Sequence, residues 1–356
     1  MLLQMNKIIK LLIITILLPL CTFKAACKQN TLKVLQLNLW VLGENVPDGL
    51  KGIVDIIDQT DPDIALFCEI AGHNEENFMN YLATELKKRG KVYYGENLRQ
   101  TMGVLSKLRI EEASPCFTLE DKSRPNPVCK ATIRIGQRKL VAYSVHWDWT
   151  HYECYQPRGY SGTTWQKLPH QVSDVDSILT ANRLSFRDEG VKALLDDAAK
   201  EIKQGSLVIL GGDFNEPSHL DWQENTRNMR DHNGLIINWD CSMLLSEAGF
   251  KDAYREIYPD AVTHPGFTFP AGNKDTDLGK LVWLPDMDER DRIDFIYYYP
   301  DPSLMLDSAV IVGPSEDILR GEIVGNASKD PFIEPTGIWP SDHKGILSTF
   351  IISDSQ

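Results

Sequence analysis

The segment that most constrains the fold is Leu207–Pro217, with the sequence LVILGGDFNEP. Its first four residues are all apolar, as in a strand that is buried on both faces. Gly211 and Gly212 permit a tight turn, and Asp213 and Asn215 follow at the carboxyl end of the strand. In α/β proteins that end commonly carries the chemistry. Taken alone, the segment also fits a structural strand that ends in a polar turn, because Gly, Asp and Asn are common turn residues.

Further strands and helices alternate around this segment. Strand-like apolar runs are expected at Thr31–Trp40 (ending near Asn38), Asp63–Ile70, Met102–Ser106, Ala131–Ile135, Leu140–His146 and Arg292–Tyr299, with a last strand after Ser341–His343. Helical spacing of apolar residues occurs at Leu50–Thr60, Phe78–Lys88, Arg183–Lys203 and Met243–Ala248. This pattern predicts an α/β sandwich. Because no stretch of linker composition interrupts residues 31–354, we expect one domain over residues 27–356.

The amino terminus has the layout of a secretory signal peptide. Lys7 and Lys10 precede the uncharged apolar run Leu11–Leu20, and the small residues Ala25 and Ala26 follow. The run is too short for a permanent membrane span. We therefore expect residues 1–26 to be cleaved and the protein to be secreted or periplasmic. A retained interfacial anchor and a lipid attached to Cys27 are the alternatives.

Charge argues against a long nucleic acid as the partner. The chain has 37 Lys and Arg against 50 Asp and Glu, a net charge of −13. Cleavage after residue 26 removes three lysines and no acidic residue, which takes the net charge to −16. A protein this acidic releases few counterions on binding a polyphosphate. Export also permits disulfides, and Cys116 and Cys129, which flank a proline-containing segment, are the expected pair.

Several polar residues lie at the ends of predicted strands or in the turns beside them. They are Asn38, Glu69, His146, Asp213, Asn215, Asp294, Asp342 and His343. Carboxylates, amides and histidines that recur at strand ends along the whole chain favour one convergent site over a set of unrelated turns.

The order of these motifs resembles that of the endonuclease/exonuclease/phosphatase superfamily, whose members include deoxyribonuclease I. The matching pieces are QLNLW at 36–40, CEI at 68–70, SVHWD at 144–148, GGDFN at 211–215, RIDFIY at 292–297 and SDH at 341–343. The resemblance implies a four-layer α/β/β/α sandwich over residues 27–356. It also implies an enzyme that hydrolyses phosphoric esters with the help of a divalent metal.

The same resemblance implies a role for each residue at the metal and the attacking water. Glu69 is expected to be the principal ligand of Mg²⁺ or Mn²⁺, with Asn38 and Asp342 helping to hold the metal and its waters. Carboxylate and amide oxygens suit these ions better than zinc. Asp213 is expected to orient or deprotonate the water. Asn215 is expected to bind the phosphoryl oxygens.

The two histidines are assigned to the phosphate by the same resemblance. His343 is expected to contact the scissile phosphate or to act as a base, with Asp294 fixing its tautomer and charge. His146 is expected to stabilise the phosphate or to assist the leaving group.

Substrate choice is expected to depend on the long loop of residues 147–168, which is rich in aromatic residues. Arg158 within it is a candidate for binding the anionic part of the substrate, and Asp148 either contacts substrate or caps a turn. Most of the aromatic rings are expected to pack the loop onto the core, and any that do not would suit stacking on a sugar or base.

The leading functional hypothesis is a secreted phosphoesterase acting on a small molecule, such as a sugar phosphate, an inositol phosphate or a lipid head group. A secreted nuclease is the alternative among enzymes. A non-catalytic binding protein on the same fold is the alternative of another class. A dependence of hydrolysis on metal would distinguish the enzymes from the binding protein.

Overall fold

The computed structural model describes residues 30–73, 75–98, 101–116 and 128–353. The predicted signal peptide and Cys27 lie outside these residues. Within them, the helices are α1 (Gly49–Thr60), α2 (Phe78–Lys88), α3 (Val175–Asn182), α4 (Arg187–Lys203), α5 (Asp240–Glu247), α6 (Ala253–Ile257) and α7 (Leu278–Leu281). No helix in this part of the chain is long and apolar enough to cross a membrane.

The strands belong to two large sheets and one small hairpin. They are β1 (Asn30–Asn38), β2 (Ile64–Ile70), β3 (Tyr94–Leu98), β4 (Thr101–Ser106), β5 (Ile110–Pro115), β6 (Val128–Ile135), β7 (Arg138–His146), β8 (Leu207–Asp213), β9 (Lys251–Asp252), β10 (Asp294–Tyr298), β11 (Leu304–Val312), β12 (Asp317–Leu319), β13 (Glu322–Val324), β14 (Phe332–Ile333) and β15 (Gly345–Ile352). The first sheet has the order β14-β11-β15-β1-β2-β4-β3 and the second β5-β6-β7-β8-β10-β9, while β12 pairs with β13.

The two large sheets pack face to face and are covered by helices on their outer faces. The core between them takes side chains from both sheets, including Val34 and Leu66 from the first and Ala142 and Ile209 from the second. Helices α1 and α2 cover the outer face of the first sheet, and α4 and α5 cover that of the second. The predicted four-layer α/β/β/α sandwich is confirmed.

Strand register brings the predicted site residues together at one end of the central strands in each sheet. In the first sheet β1 and β2 run parallel, with Asn38 opposite Cys68, the residue before Glu69. In the second sheet β7 and β8 run parallel, with His146 opposite Asp213. Strand β10 runs antiparallel to β8, so its first residue, Asp294, lies opposite the last residue of β8, Asp213.

The helix predicted over Arg183–Lys203 is present as α4, which begins four residues later, at Arg187. A further helix that was not predicted, α3, precedes it. The Ser185 hydroxyl donates a hydrogen bond to the carbonyl oxygen of Asn182, and the Arg187 guanidinium donates to the Asn182 side chain. Side-chain bonds of this kind compete with the helical hydrogen bonds and end α3 at Asn182.

The predicted Cys116–Cys129 disulfide is not formed, because Cys116 is a free cysteine. The β5–β6 register pairs Pro115 with Cys129, and the Cys116 amide bonds the carbonyl of Val128. Side chains alternate between the faces of a sheet. Cys129 therefore packs in the core between the sheets, whereas Cys116 packs with the cluster beneath α4. The two sulfur atoms lie on opposite faces.

Candidate active site

Seven of the predicted residues converge where the two sheets meet. Asn38 and Glu69 come from the first sheet, and His146, Asp213 and Asp294 come from the second. Asp342 and His343 lie in the turn that precedes β15. Together they are referred to below as the carboxylate site, which consists of Asn38, Glu69, His146, Asp213, Asp294, Asp342 and His343.

Asp213 lies at the centre of the carboxylate site. Its Oδ2 accepts a hydrogen bond from Asn38 Nδ2 at 3.0 Å, and its Oδ1 accepts one from the Asn215 amide at 2.8 Å. Burial raises the pKa of Asp213 to about 6, and the neighbouring Asp294 adds to this while His343 and His146 oppose it. The carboxyl group therefore exchanges its proton close to neutral pH, as a general base must.

His343 is held by a buried carboxylate. Its Nδ1 lies 2.8 Å from Asp294 Oδ2, and Asp294 Oδ1 accepts a hydrogen bond from Gln36 Nε2 at 2.8 Å. Burial opposes a charge on the ring, but Asp294, Asp213 and Asp342 outweigh it and raise the pKa of His343 above its usual value. The other ring nitrogen, Nε2, lies 3.8 Å from Asp213 Oδ2, so it points toward the centre of the site as a cationic donor.

Asp342 carries a buried oxygen atom that has no hydrogen-bond partner. This atom, Oδ1, is 3.9 Å from His343 Nε2. Burial raises the pKa of Asp342 to about 7; the proximity of Glu69 and Asp213 contributes, and His343 opposes it. An unpaired buried carboxylate oxygen is costly. A bound cation would satisfy it.

Glu69 reaches the site from an irregular point in β2. Its φ is 58°, in the left-handed region, and the pairing of β2 with β4 shifts between Phe67 and Ile70. Bulges of this kind re-aim a side chain. Glu69 Oε1 accepts a hydrogen bond from Asn38 Nδ2 at 2.9 Å and lies 3.8 Å from His146 Nε2.

The donors of the carboxylate site fit a hard divalent cation. One ligand atom from each of Glu69, His146 and Asp213 lies within 4.8 Å of the other two, and Asp342 lines the same cavity. Carboxylate oxygens are the ligands that Mg²⁺ and Mn²⁺ prefer. Asn38 presents its amino group to the carboxylates, because its oxygen accepts a hydrogen bond from the Trp40 amide. In this arrangement its amino group orients the carboxylates of Glu69 and Asp213.

Comparison with known proteins identifies the family. The model of the Endonuclease/Exonuclease/phosphatase family matches residues 35–343. The chain belongs to this family. Its members are usually metal-dependent hydrolases of phosphoester bonds. The resemblance inferred from the six sequence motifs is thereby confirmed.

Individual relatives are distant. The chain is 26% identical over 295 residues to an uncharacterized protein of Caenorhabditis elegans. The matched region covers 82% of this chain and 86% of that protein. D. rerio TDP2 complexed with a single-strand DNA product is 16% identical, with a TM-score of 0.50 and coverage of 90% of this chain and 99% of that one. The human Nocturnin catalytic domain with bound sulfate is 14% identical, with a TM-score of 0.50 and coverage of 91% and 95%. At this identity the two structures share the fold with this chain.

Arg158 does not lie at the carboxylate site, which corrects its predicted role in substrate binding. Its side chain is fully buried, and the guanidinium donates to both carboxylate oxygens of Asp291, at 2.6 and 2.9 Å. The guanidinium also lies over the Trp222 ring, 5.4 Å from the centroid. A guanidinium engaged in this way has no surface left for a phosphate.

Of the two remaining predicted residues, Asn215 lines the site cavity and Asp148 caps a turn. The Asp148 carboxylate accepts hydrogen bonds from the Thr150 amide and hydroxyl, so this contact supports the turn-capping alternative rather than substrate binding. Asn215 lines the site cavity, with φ of 45°, and its Nδ2 donates to the Trp147 carbonyl at 3.0 Å. The amide has a second hydrogen on Nδ2 for another acceptor.

Some supporting residues were not identified from the sequence. The Thr268 hydroxyl accepts hydrogen bonds from the amides of Ile293 and Asp294. The Ser341 hydroxyl donates to the Asn38 carbonyl and accepts from the His343 amide. Thr268 carries no motif of its own, because a hydroxyl acquires this role only from what folding places beside it. Ser341 is the first residue of the SDH motif at 341–343, but its supporting role was not identified from the sequence.

The carboxylate site opens into a cavity of about 420 Å³. Its walls are largely aromatic and include Trp40, Tyr152, Tyr155 and Phe269. None of the described residues that line it is a lysine or an arginine. Acidic groups at the base and aromatic rings on the walls therefore determine what the cavity accepts.

Proposed function

We propose that this protein is a metal-dependent phosphoesterase that hydrolyses one ester bond of a small phosphate-containing molecule. The observation that carries the proposal is the buried Asp342 oxygen without a hydrogen-bond partner, in the cavity that Glu69 and Asp213 also line and beside a histidine held by Asp294. A group of carboxylates in this arrangement favours a bound cation. A charged imidazole beside it provides a binding site for a phosphoryl oxygen.

The residues divide the chemistry between them. Glu69, Asp213 and Asp342 would hold the metal, which when bound offsets phosphate charge and activates a water. Asp213 Oδ2 accepts the proton of the attacking water. His343 Nε2 donates to a phosphoryl oxygen, since its raised pKa keeps the ring charged at neutral pH. Asn215 Nδ2 donates its second hydrogen to the same phosphoryl group.

His146 lies beside Glu69 and Asp213 in the carboxylate site. Its Nε2 is 3.8 Å from Glu69 Oε1 and 4.0 Å from Asp213 Oδ2, and its Nδ1 lies 3.3 Å from the Thr101 hydroxyl. From this position it donates to the phosphate or to the leaving oxygen.

A small substrate is favoured over a nucleic acid. The net charge is −13 and the described cavity-lining residues include no lysine or arginine. A polyanion bound there would have no cationic side chain to neutralise its further phosphates. A nuclease remains the second hypothesis, and plasmid DNA in the substrate panel tests it.

The test is hydrolysis of a substrate panel with Mg²⁺, Mn²⁺ or EDTA. The panel holds bis-p-nitrophenyl phosphate, sugar phosphates, inositol phosphates, sphingomyelin and plasmid DNA. Glu69→Ala and His343→Ala are compared with Glu85→Ala and His170→Ala, whose side chains lie on the surface. We expect turnover that requires metal and is lost only in the first pair.

A second measurement separates the enzyme from a binding protein on the same fold. Thermal unfolding is followed with and without Mg²⁺, because a ligand that binds only the folded state raises Tm. We expect Mg²⁺ to raise Tm in the wild type and not in Glu69→Ala. Metal-independent hydrolysis, or no hydrolysis and no effect of metal on Tm, would contradict the proposal.

We also propose that the protein is exported, on the basis of the basic, apolar and small-residue order of residues 1–26. Mass spectrometry of the protein from its natural source gives the mature amino terminus. A terminus close to residue 27 supports cleavage. An intact Met1, or a lipid on Cys27, supports one of the two alternatives.

A further inference from the structure

Three tryptophan side chains form a continuous stack on the wall of the site cavity. The ring centroids of Trp149 and Trp165 lie 5.4 Å apart at an interplanar angle of 25°. Those of Trp165 and Trp283 lie 5.5 Å apart at 26°. We refer to these three residues as the tryptophan stack. All three line the same cavity as Glu69 and His343.

The two ends of the tryptophan stack are exposed. Trp149 is 55% exposed and Trp283 is 56% exposed, whereas Trp147, Trp222 and Trp239 are buried. Tryptophan presents the largest side-chain surface, much of it apolar, and exposed apolar surface grouped around a cavity commonly marks a ligand site. These tryptophans therefore divide into two groups, one that is buried in the core and one that lines the cavity and is exposed at both ends of the stack.

Buried charged groups hold the backbone on which the exposed rings lie. The Arg187 guanidinium, 1% exposed, donates to the carbonyl oxygens of Asp148, Thr150 and His151, at 2.6, 2.8 and 2.7 Å. These residues surround Trp149. The Glu289 carboxylate, 2% exposed, accepts from the Trp283 amide at 3.1 Å and from the next amide along the chain. The rings are thus presented on an ordered backbone, which lowers the entropy cost of binding.

The position of the stack indicates which part of a ligand it contacts. The phosphate of a bound ester would lie at the carboxylate site, and the described residues of the cavity offer no lysine or arginine for a second anionic group. The group that projects onto the stack therefore carries no second negative charge. Trp149 and Trp283, at the two exposed ends of the stack, can each take one further ring. Offset stacking is the arrangement that aromatic rings prefer.

We propose that Trp149, Trp165 and Trp283 bind an uncharged, planar ring carried by the phosphoester that the carboxylate site hydrolyses. The inference rests on the proposed function, since it requires the phosphate to be held beside Glu69 and His343. The tryptophan stack is a specificity site, and it does not take part in the reaction.

The test measures binding of three phosphonates to the full chain by calorimetry in Mg²⁺. Phenylphosphonate, cyclohexylphosphonate and methylphosphonate share the phosphoryl group and cannot be hydrolysed, so the readout is independent of turnover. Stacking of a ring on an aromatic side chain contributes roughly 1–3 kcal/mol. We expect phenylphosphonate to bind about tenfold more tightly than methylphosphonate, and cyclohexylphosphonate to bind more weakly than phenylphosphonate.

Variants connect that preference to the stack. Trp149→Ala and Trp283→Ala should reduce the phenyl-over-methyl preference severalfold, and Trp283→Phe should retain most of it. Tyr94→Ala, an exposed aromatic residue that does not line the cavity, is the control and should leave the preference unchanged. Because the substituted rings of Trp149 and Trp283 are more than half exposed, we expect these variants to fold, and circular dichroism checks this.

Two kinds of result would overturn the inference, and they are distinguishable. Equal affinity for the three phosphonates, tight binding of the cyclohexyl compound, or a phenyl preference that survives both alanine variants removes the ring-binding role and leaves the phosphoesterase intact. Absence of binding by all three phosphonates in Mg²⁺ removes the phosphate site itself, and the proposed function fails with it.

Discussion

At the residue scale, the site depends on side chains whose partners fix their orientation. Asp294 is fully buried. Its carboxylate accepts a hydrogen bond from Gln36 Nε2 and holds His343 Nδ1, and its backbone amide donates to the Thr268 hydroxyl. Nδ1 therefore donates its hydrogen to the Asp294 carboxylate, and Nε2 is directed at the centre of the site. A histidine in such a contact has a defined tautomer and a stabilised charge.

Asp294→Asn tests this arrangement. The amide preserves the shape of the side chain but removes the negative charge that stabilises the imidazolium, so we expect kcat to fall by about 100-fold or more. Steady-state kinetics on the best substrate of the panel measures the effect. Asp307→Asn, on the exposed face of β11, is the control. A variant with unchanged kcat would show that His343 does not depend on Asp294.

At the element scale, the strand ends are shaped by irregular backbone. Directly after β1, Trp40, Val41 and Leu42 have φ of 43°, 58° and 56°, a conformation that costs non-glycine residues about 1–3 kcal/mol each in strained cases. Glu69 adds the bulge in β2. These irregularities lie next to the site, and they turn Asn38 and Glu69 toward Asp213.

The long loop of residues 147–168 is an element with its own core. Tyr152, Tyr155 and Tyr160 pack in a cluster with Trp222 and Trp239, and the Arg158–Asp291 pair lies within it, completely buried. Removing one partner of a buried ion pair leaves the other unpaired, which is more costly than removing both.

Arg158→Met should destabilise the protein by about 3–5 kcal/mol, because Asp291 then keeps a buried charge without its partner. The double variant Arg158→Met/Asp291→Asn should be less destabilised than the single variant. Urea unfolding gives both values. KM of the folded single variant should be unchanged for the best substrate. A raised KM with unaltered stability would restore the substrate-binding role of Arg158.

At the scale of the whole molecule, stability at acid pH depends on buried neutral groups as well as carboxylates. His232 is 1% exposed and stacks on Trp222 with a centroid distance of 3.6 Å. Burial lowers the pKa of His232 to about 2, and Arg158 and Arg230 contribute to the shift. The folded state therefore keeps the ring neutral at pH values where the unfolded chain protonates it.

The sign of the effect follows from proton linkage. Below pH 6.5 the unfolded chain binds a proton that the folded chain does not, so stability falls as pH falls, by about 1.4 kcal/mol per pH unit for this group. His232→Phe keeps a ring on Trp222 and removes the titration. The free energy of unfolding of the wild type, relative to that of the variant, should decrease by about 2 kcal/mol between pH 6.5 and 5. A parallel pH dependence of the two proteins would contradict the assignment.

Much of the fold was predictable because its elements are strongly patterned. Helix α2 has the predicted bounds, and β2 and β7 lie within one or two residues of prediction. Strand β8 continues through Gly211 and Gly212, where a tight turn was expected, because both glycines pair with β7. Strand β11 was not identified, since its side chains alternate irregularly between buried and exposed. The strand nevertheless pairs with β15 inside the first sheet. A strand of this kind is defined by its pairing with neighbouring strands, and the periodicity of the sequence does not reveal that pairing.

The sequence by itself determined the family, the sandwich and the positions of the polar residues at the strand ends, because short-range patterning and ordered motifs encode them. Only the tertiary structure decided which side chains meet. It buried Arg158 against Asp291, placed Cys116 and Cys129 on opposite faces of a sheet, and stacked Trp283 on Trp165 from a distant loop. Ion pairs, sheet faces and ring stacks depend on contacts between residues far apart in the chain, and no local pattern specifies them.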